Sequence, residues 1–472
     1  MENLMEFINK LNAYLWGPPM IVAFIGVGLF LAILSRFIQL RRFIRMWRET
    51  FVRTFRGESA GEGDISPFQA VNVALGGTVG VGNIAGVATA IAMGGPGAIF
   101  WMWVSGVLGM GTKFFEVALG IQYRAREPGG PMIGGPMMYI SRGLGPSWRW
   151  LAFVFALFGA LTAFGIGNMV QSNSVAEGLS YFHIPPWITG VGLLFFVGLV
   201  TIGGIQRIAH VAMFCVPFMC ILYMLGALAI IMWNITSVPS VLTMIVQGAF
   251  QPTAAIGGFA GATIMQAIRY GIARGTFSNE AGLGSAPIAH ATARTDHPVR
   301  QAFWGMMEVF IDTIIICTAT ALVIIITGAW RSGETGASLT IHGFSSLLGM
   351  KAGSAVVTFC MVLTAYDTNI AWCFYGETCA AYLLGHGRIV RYVYRFLWLP
   401  LVLVGAVIKP EMVWGIADAL VGLMAIPNLI ALVVLAPVVV RLIRNFEGVF
   451  SSSQNRIESQ EIPVRGNSSF PD

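Results

Sequence analysis

Long apolar windows recur along almost the whole chain, and they restrict the possible fold more than any other feature. Eleven windows are long enough to cross the roughly 30 Å hydrocarbon layer of a membrane. They lie near residues 17–37, 68–94, 97–123, 150–182, 187–205, 209–233, 256–292, 300–329, 353–385, 392–408 and 412–445, and the last could be two segments separated at Pro427. Only 11% of the 472 residues are charged, against about 25% in soluble proteins. The sequence therefore predicts an all-α polytopic protein whose surroundings are the lipid bilayer.

The basic residues predict an orientation, because cytoplasmic loops carry an excess of Lys and Arg. Seven Arg residues lie between the first two windows, at 36, 41, 42, 45, 48, 53 and 56. If successive windows cross the membrane in opposite directions from that loop, most of the other basic residues lie on the same side of the membrane. We expect a cell (inner) membrane protein of a bacterium or archaeon, with its N-terminus outside and its C-terminus in the cytoplasm. The net charge of +6 follows from this bias and requires no nucleic acid partner.

The first window is expected to remain in the protein as a transmembrane helix. The segment before it, residues 1–10, has one basic residue and no small-residue cleavage site, so it does not resemble a removed signal peptide. The six Cys residues have no metal-ligand spacing, and we expect them to be small buried apolar side chains.

Two windows contain glycine clusters that predict broken helices. Four Gly occur within seven residues at 76–82, followed by Asn83, and four more lie at 271, 275, 282 and 284. Irregular backbone at membrane depth is tolerated only where it is buried or lines a cavity. The N–H groups that begin a second half-helix suit a carboxylate, and the carbonyls across the joint suit Na⁺. The alternative is that these glycines only allow close helix packing.

The two clusters lie about 200 residues apart, and the later spans repeat at a similar distance. Five spans followed by five equivalents of inverted orientation are typical of secondary transporters. The pattern predicts an N-terminal helix and basic loop over 1–66, repeats over 67–235 and 254–446, and a disordered polar tail over 447–472.

Seven ordered motifs carry a resemblance to a known family. They cover residues 78–87, 94–97, 134–139, 167–171, 274–285, 308–313 and 372–377. Between about 65 and 445 the chain resembles the alanine/glycine:cation symporter (AGCS) family, sodium:alanine symporter-like members of the amino acid–polyamine–cation superfamily. The resemblance implies a LeuT-type 5+5 inverted repeat with discontinuous first and sixth core helices and one extra N-terminal helix. It also implies import of alanine or glycine coupled to Na⁺ by alternating access, with the monomer as the functional unit. H⁺ coupling, and a broader range including serine, glutamine or D-alanine, remain alternatives.

The predicted substrate site lies at the first break. The N–H groups of Gly80 and Gly82, with the Asn83 amide, are candidates for the substrate carboxylate. By resemblance, Gln171 adds polar contacts, and Phe277 and Trp372 form walls that limit side-chain size. Packing or interhelical hydrogen bonding is the alternative for each of these side chains. The full predicted set is Thr78, Gly80, Gly82, Asn83, Gln171, Phe277, Ser278 and Trp372.

The resemblance also implies a sodium site between the first broken helix and the eighth core span. Its candidate ligands are the carbonyls of Gly76 and Val79 with the side chains of Thr364, Asp367 and Thr368. The last three have the spacing i, i+3, i+4, which puts them on one helical face. In relatives we expect Ser at position 367 and an apolar residue at 369, where this chain has Asp and Asn. Asp367 could bind Na⁺ or carry a proton, and the alternative is that it forms a salt bridge or faces a vestibule.

Other carboxylates within the predicted spans are Glu280, Glu308, Asp312 and Asp418. Pairing with Arg269, Arg274 or a helix N-terminus is as plausible for the first three as a functional role, so the predicted site excludes them. The one Gly-x-Ser-x-Gly match, at residues 57–61, lies in the basic loop between two apolar windows and not at the strand-to-helix turn that such a nucleophile needs. The chain has no His-Glu-x-x-His or Walker A motif. We therefore expect neither an enzyme nor direct use of ATP. Two breaks at membrane depth also favour an occluded site over the continuous pore of a channel.

Overall fold

The N-terminal part of the computed structural model contains two longer helices and a short basic segment. The structure describes residues 2–57, 61–127, 130–251, 263–385 and 387–460. Helix α1 (Glu2–Leu15) leads into α2 (Pro18–Leu34), which begins with two prolines at positions where no helical N–H is needed. The basic segment follows as α3 (Ile38–Arg41), α4 (Phe43–Trp47), a π-helical turn (Arg48–Val52) and α5 (Arg53–Phe55).

The next group of helices corresponds to the first predicted repeat. A hairpin of β1 and β2 pairs Ala125 with Ile133 in antiparallel register. In chain order the elements are α6 (Pro67–Thr78), a π turn (Gly82–Gly86), α7 (Val87–Gly94), α8 (Gly97–Gln122), β1 (Ala125–Arg126), β2 (Met132–Ile133), α9 (Pro136–Tyr139), a π turn (Ile140–Leu144), a 3₁₀ turn (Pro146–Trp148), α10 (Arg149–Thr162), a π segment (Ala163–Met169), α11 (Val170–Ser180), α12 (Pro186–Thr201) and α13 (Gly204–Trp233).

The remaining helices correspond to the second predicted repeat and its connections. They are a 3₁₀ turn (Ile235–Ser237), α14 (Val238–Phe250), α15 (Ile264–Asn279), α16 (Ala286–His290), α17 (Pro298–Val309), a π segment (Phe310–Cys317), α18 (Thr318–Ile326), a 3₁₀ turn (Ala329–Arg331), α19 (Gly336–Leu348), α20 (Met350–Leu384), α21 (Arg388–Val407) and α22 (Pro410–Gln460).

Eight stretches of the described chain are long and apolar enough to cross a membrane. A ninth is the pair α6 and α7, which is bent by 47°. The predicted window at 187–205 appears as α12, with 16 residues, and the seventh window corresponds to α15 and α16. Part of that window, residues 252–262, lies outside the described residues. The count of eleven spans therefore stays a prediction.

The last predicted window is one continuous helix, so a separation at Pro427 is wrong. Pro427 and Pro437 both lie inside α22, where neighbouring helices can pair the freed carbonyls. This helix continues to Gln460, beyond the position where the disordered tail was predicted to begin. The last part of the predicted tail (447–472), residues 461–472, lies outside the described part of the chain.

The two broken helices begin with the same N-terminal capping motif, a capping box. Ser66 accepts a hydrogen bond from the Gln69 N–H, and the Gln69 side chain accepts one from the Ser66 N–H. Thr263 and Gln266 form the same capping box at the start of α15. Each box pairs two backbone groups that a helix start leaves free. The two broken helices are therefore initiated alike, about 200 residues apart in the sequence.

Helix α8 packs closely against both α14 and α15. A Cβ at Gly97 would collide with the backbone of Gly248, and one at Gly271 would collide with Ala98. Glycine at these positions allows the helix backbones to approach each other. Close packing thus explains some of the 57 glycines, including one in the second cluster.

Candidate substrate and ion site

The first helix break is a short irregular segment that separates α6 from the π turn before α7. At Val79 the backbone leaves the helical conformation, with φ −75° and ψ 84°. The Gly80 N–H donates to Oδ1 of Asn83 at 2.9 Å, and the Val81 N–H donates to Oε1 of Gln171 at 3.4 Å. Two backbone donors of the break are thus bonded to neutral side-chain oxygens.

The Asn83 side chain connects this break to the segment after α17. While its oxygen accepts from Gly80, its Nδ2 donates to Oδ1 of Asp312 at 2.6 Å and to the Asp312 carbonyl at 3.2 Å. The same nitrogen lies 3.3 Å from Sγ of Cys317. In this conformation Asn83 therefore holds the break together rather than presenting a free amide.

Asp312 is a buried carboxylate that links the two broken helices. The Ser278 hydroxyl, near the end of α15, lies 3.1 Å from both carboxylate oxygens, and the Thr313 hydroxyl donates to Oδ2 at 2.7 Å. With the Asn83 amide, these donors surround a side chain that is fully buried. The predicted site excluded Asp312, although a carboxylate at membrane depth is itself a functional signal.

Glycine at positions 80 and 82 allows several predicted site residues to approach the first break. A Cβ at Gly80 would lie 2.8 Å from the Thr368 hydroxyl and 3.4 Å from Oε1 of Gln171. A Cβ at Gly82 would lie 3.2 Å from Cα of Ser278 and 3.5 Å from the Phe277 ring. The structure therefore brings the first break close to residues of α11, α15 and α20.

Phe277 is covered by an aromatic and cationic stack. Its ring lies 5.3 Å from that of Trp414, and the Arg274 guanidinium lies 5.5 Å from the Phe277 ring centre. Arg274 also forms a two-point ion pair with Asp418 at 3.2 and 3.0 Å. Arg274 therefore pairs with Asp418. The sequence analysis had instead considered Arg274 as a partner of Glu280, Glu308 or Asp312.

The described hydrogen bonds of two further predicted substrate residues, Trp372 and Thr78, are not made to the irregular segment of the first break. Trp372 packs on Gly167 and donates from Nε1 to Glu280 at 2.9 Å, so it supports the second break. The Thr78 hydroxyl donates to carbonyls of its own helix, those of Ala74 and Leu75. The proposed wall formed by Trp372 stays a prediction.

The predicted ion ligands lie where α6 meets α20. The Thr368 hydroxyl donates to the Gly76 carbonyl at 2.8 Å, and a Cβ at Gly76 would lie 3.3 Å from Cβ of Asp367. The Thr364 hydroxyl is buried on the same helical face and bonds to the Met361 carbonyl at 3.1 Å. Four of the five predicted ligands are thus on these two helices, and Val79 directly follows α6.

Asp367 is the most unusual of these groups. Its side chain is fully buried, and neither carboxylate oxygen has a described partner with hydrogen-bond geometry, although Cys215 lies nearby. An isolated buried carboxylate is strongly unfavourable unless a cation or a proton neutralises it. Carbonyl, hydroxyl and carboxylate oxygens are also the donors that hard cations prefer. The residues present therefore fit a small monovalent cation.

The second break is fixed by a carboxylate that the sequence analysis did not single out. Oε1 of Glu116, on α8, accepts from the N–H groups of Gly282 and Gly284 at 3.1 and 2.9 Å. Asn428 donates to the same oxygen at 2.6 Å and to the Gly282 carbonyl at 2.9 Å. The available signal was a pair of charges, Lys113 and Glu116, inside an apolar window.

Glu280 stabilises the same break from its own backbone position. It ends α15 with a positive φ of 55°, and its carboxylate accepts from the Ser285 hydroxyl at 2.5 Å and from Trp372. Left-handed backbone is rare for residues other than Gly, Asn and Asp, so these bonds hold a conformation that would otherwise be unfavourable.

Lys113 is the buried cation that pairs with Glu308. Its Nζ lies 3.1 Å from Oε1, and Nε2 of His290 lies 3.1 Å from Oε2. Gln301 Nε2, which can only donate, lies 2.8 Å from Nδ1 of the same histidine. With this amide orientation Nδ1 accepts and Nε2–H donates to Glu308.

Comparison with known proteins gives a consistent result. The sequence model of a family described as "Sodium:alanine symporter family" matches residues 1–460. An uncharacterized transporter of Haemophilus influenzae is 45% identical over 93% of this chain and 96% of its own length. The sodium/alanine symporter AgcS of Methanococcus maripaludis is 44% identical over 95% of this chain and 98% of its own.

The solved structures agree at the level of the fold. The crystal structure of MhsT in complex with L-phenylalanine matches with a TM-score of 0.56 and 12% identity, covering 81% of this chain and 98% of that one. At this identity the match concerns the fold alone, and it confirms the predicted LeuT-type architecture.

Proposed function

The chain belongs to the sodium:alanine symporter family, and from that membership we propose that it imports alanine or glycine together with Na⁺ by alternating access. Family membership makes it a multi-pass membrane transporter and not an enzyme. The proposal adds the substrate, the coupling ion, the monomer as the functional unit, and an inner-membrane orientation with the N-terminus outside and the C-terminus in the cytoplasm.

The observation that supports this proposal most strongly is the bonding of the first break. The N–H groups of Gly80 and Val81 bond to the oxygens of Asn83 and Gln171. A substrate carboxylate is an anionic acceptor and makes stronger hydrogen bonds than a neutral amide oxygen. We infer that its oxygens replace these side-chain oxygens on binding. The 3.4 Å bond from Val81 is long, so we expect Gln171 to be displaced first.

The close packing around Gly82 supports a small substrate. Position 82 faces Cα of Ser278 and the Phe277 ring at van der Waals distance. A substrate held at the neighbouring N–H groups has little room for a side chain on this face. This favours alanine and glycine over glutamine, and a pocket that opens further on binding would admit the broader alternative range.

The buried carboxylate of Asp367 favours a cation as the co-transported species. With Gly76 and Thr368 it supplies three kinds of oxygen at the junction of α6 and α20. Unwound carbonyls of a broken helix coordinate Na⁺ in transporters of this type. The alternative is H⁺ coupling, in which Asp367 itself carries the proton. Both assignments use the same unpaired carboxylate, so only an ion-dependence experiment separates them.

The decisive experiment is uptake of radiolabelled alanine into proteoliposomes. Separate arms impose a Na⁺ gradient, a pH gradient without Na⁺, or neither. We expect saturable uptake only with Na⁺, and exchange of labelled for unlabelled alanine in counterflow. Competition by glycine, serine, glutamine and D-alanine then defines the substrate range. Uptake driven by the pH gradient alone would establish the H⁺ alternative, and non-saturating flux without counterflow would contradict a carrier.

A matched pair of variants assigns the ion dependence to its site. Asp367→Asn removes the buried carboxylate with little change in shape. Asp296→Asn removes an exposed carboxylate whose partner is Arg300, one helical turn away. We expect the first variant to need a higher Na⁺ concentration for the same uptake and the second to respond like the wild type. Unchanged Na⁺ dependence in Asp367→Asn would remove this residue from the ion site.

A further inference from the structure

A cavity of about 220 Å³ lies beside the turn between α12 and α13, next to the start of α21. Its lining includes Gly203, Gly204, Gly387, Arg388, Arg391 and Arg395, and we call it the arginine cavity. It has room for several water molecules or a small polar group. No residue of the first break or of the ion site lines it.

The side chains around the arginine cavity carry more positive than negative charge. Arg391 is only 7% exposed and bonds to Glu127 at 2.6 Å and to Glu377 at 3.1 Å. Arg395 bonds to Glu377 at 2.5 and 2.8 Å. Arg388 is exposed and has no described acidic partner. Three guanidinium groups therefore face two carboxylates, which leaves an excess of one positive charge.

Arg391 also has an unused donor. Its Nε is buried and has no hydrogen-bond partner among the described residues. A buried donor without a partner costs free energy, and this cost is larger for a charged group. Because this side chain lines the cavity, a ligand with acceptor oxygens could satisfy the donor.

Two helix N-termini add to the positive potential. Helix α13 begins at Gly204 and has 30 residues, and α21 begins at Arg388, directly after Gly387, and has 20. Neither start has a side-chain cap. The N-terminal end of a helix carries about half a positive charge and exposes free N–H groups. Two such ends with three arginines form a site for an anion with several oxygens.

The outer rim of the arginine cavity is apolar. Along α21, Ile389 and Phe396 are 78% and 76% exposed, and Tyr392, which also lines the cavity, is exposed as well. Ile202 continues this apolar surface from the end of α12. In a membrane protein such a surface contacts acyl chains, and the cavity lies beside it.

We propose that the arginine cavity binds a phosphate group, carried by the headgroup of an anionic membrane lipid. Basic pockets between transmembrane helices on the basic face of a protein are suited to such headgroups. Inorganic phosphate shares the same recognition chemistry, and the apolar rim favours the lipid as its source.

Thermal unfolding of the purified full-length protein in detergent micelles tests this proposal. One series adds phosphatidylglycerol, a second adds zwitterionic phosphatidylcholine, and a third adds inorganic phosphate. A ligand that binds only the folded state raises the unfolding midpoint. We expect phosphatidylglycerol to raise it by about 2 °C or more, and phosphatidylcholine to have a much smaller effect.

Arg388→Gln and Gly387→Asp connect the response to the cavity. Arg388→Gln removes a charge without leaving a described carboxylate unpaired, and we expect about tenfold more phosphatidylglycerol to be needed for half of the response. Among the described residues, none has an atom within 4 Å of a Cβ at Gly387, and its extended backbone accepts any residue. Aspartate is also a favoured N-cap. Gly387→Asp should therefore fold normally, place a carboxylate at the cavity, and abolish the lipid response.

The control is Arg444→Gln, which removes an exposed arginine on α22 that does not line the cavity. We expect it to respond like the wild type. A midpoint shift with inorganic phosphate that Gly387→Asp abolishes would support the phosphate site and assign it to the free anion. Equal shifts with both lipids, or wild-type responses from both cavity variants, would overturn the proposal. No transport is measured, so the result does not depend on the proposed function.

Discussion

The two helix breaks use different kinds of acceptor for their free backbone groups. At the first break, the N–H groups of Gly80 and Val81 bond to neutral amide oxygens. At the second, the N–H groups of Gly282 and Gly284 share the carboxylate of Glu116. Oε1 of Glu116 also accepts from the Asn428 amide, so three donors converge on this one oxygen. The second break is therefore held by the protein itself, whereas the first can exchange its partners for a ligand.

This difference is local, because both broken helices begin with the same type of capping box. It assigns one break to the scaffold and the other to binding. The variants below test the assignment, in order of decreasing expected effect.

The largest effect is expected from Glu116→Ala. It removes the acceptor of two buried N–H groups and of the Asn428 amide, and each buried donor left without an acceptor costs about 1–3 kcal/mol. We expect a large fall in the unfolding midpoint and in the yield of folded protein. Glu116→Gln keeps an acceptor oxygen and should lose less. Wild-type stability of Glu116→Ala would show that the second break does not depend on this side chain.

Gly80→Ala should abolish transport with a smaller effect on folding. Its Cβ would lie 2.8 Å from the Thr368 hydroxyl, so the first break must shift away from the ion site. We expect alanine uptake to fall by about 100-fold or more, as displacements of about 1 Å at a site can do. Gly86→Ala is the matched control, because a Cβ there meets no atom within 4 Å. Equal uptake by both variants would contradict the placement of the site at Gly80.

Asp367→Asn is expected to weaken Na⁺ binding without loss of stability. It replaces an unpaired buried carboxylate by a neutral group, which relieves a desolvation cost. The Na⁺ concentration for half-maximal uptake should rise about tenfold or more, while the unfolding midpoint in Na⁺-free buffer stays equal or increases. A lower midpoint without Na⁺ would show that Asp367 has a structural partner instead.

Ser278→Ala should have the smallest effect. It removes one hydroxyl that bonds to Asp312, while Asn83 and Thr313 continue to donate. The loss of one such bond is about 1 kcal/mol, which corresponds to about fivefold weaker alanine binding in a scintillation proximity assay. Ser346→Ala, an exposed position bonded only to its own helix, should match the wild type. A loss above about 100-fold would mean that Ser278 contacts the substrate directly.

The sequence predicted the broken helices because a membrane restricts where irregular backbone can occur. Glycine clusters are visible locally, so the positions of both breaks could be read from them. With the family resemblance, the same reasoning placed Gly80 and Gln171 in one predicted substrate site, and the structure puts them next to each other.

The partners of the buried charges could not be predicted in the same way. Asn83 and Asp312 are 229 residues apart, and Glu116 and Gly284 are 168 apart. No local period or propensity encodes such pairs, because tertiary packing alone decides them. For the same reason the sequence could not show that the Trp372 ring nitrogen donates a hydrogen bond to Glu280. Its predicted role as a wall of the substrate site stays a prediction.

Hydrogen exchange of the backbone amides at the two breaks tests the central claim most directly. Protein in detergent is compared with and without Na⁺ and alanine, and peptides covering 76–83 and 280–285 are followed by mass spectrometry. We expect the ligands to slow exchange at Gly80–Asn83 by about tenfold or more, with no change at Gly282 and Gly284. Protection confined to the second break, or equal at both, would contradict the assignment of binding to the first.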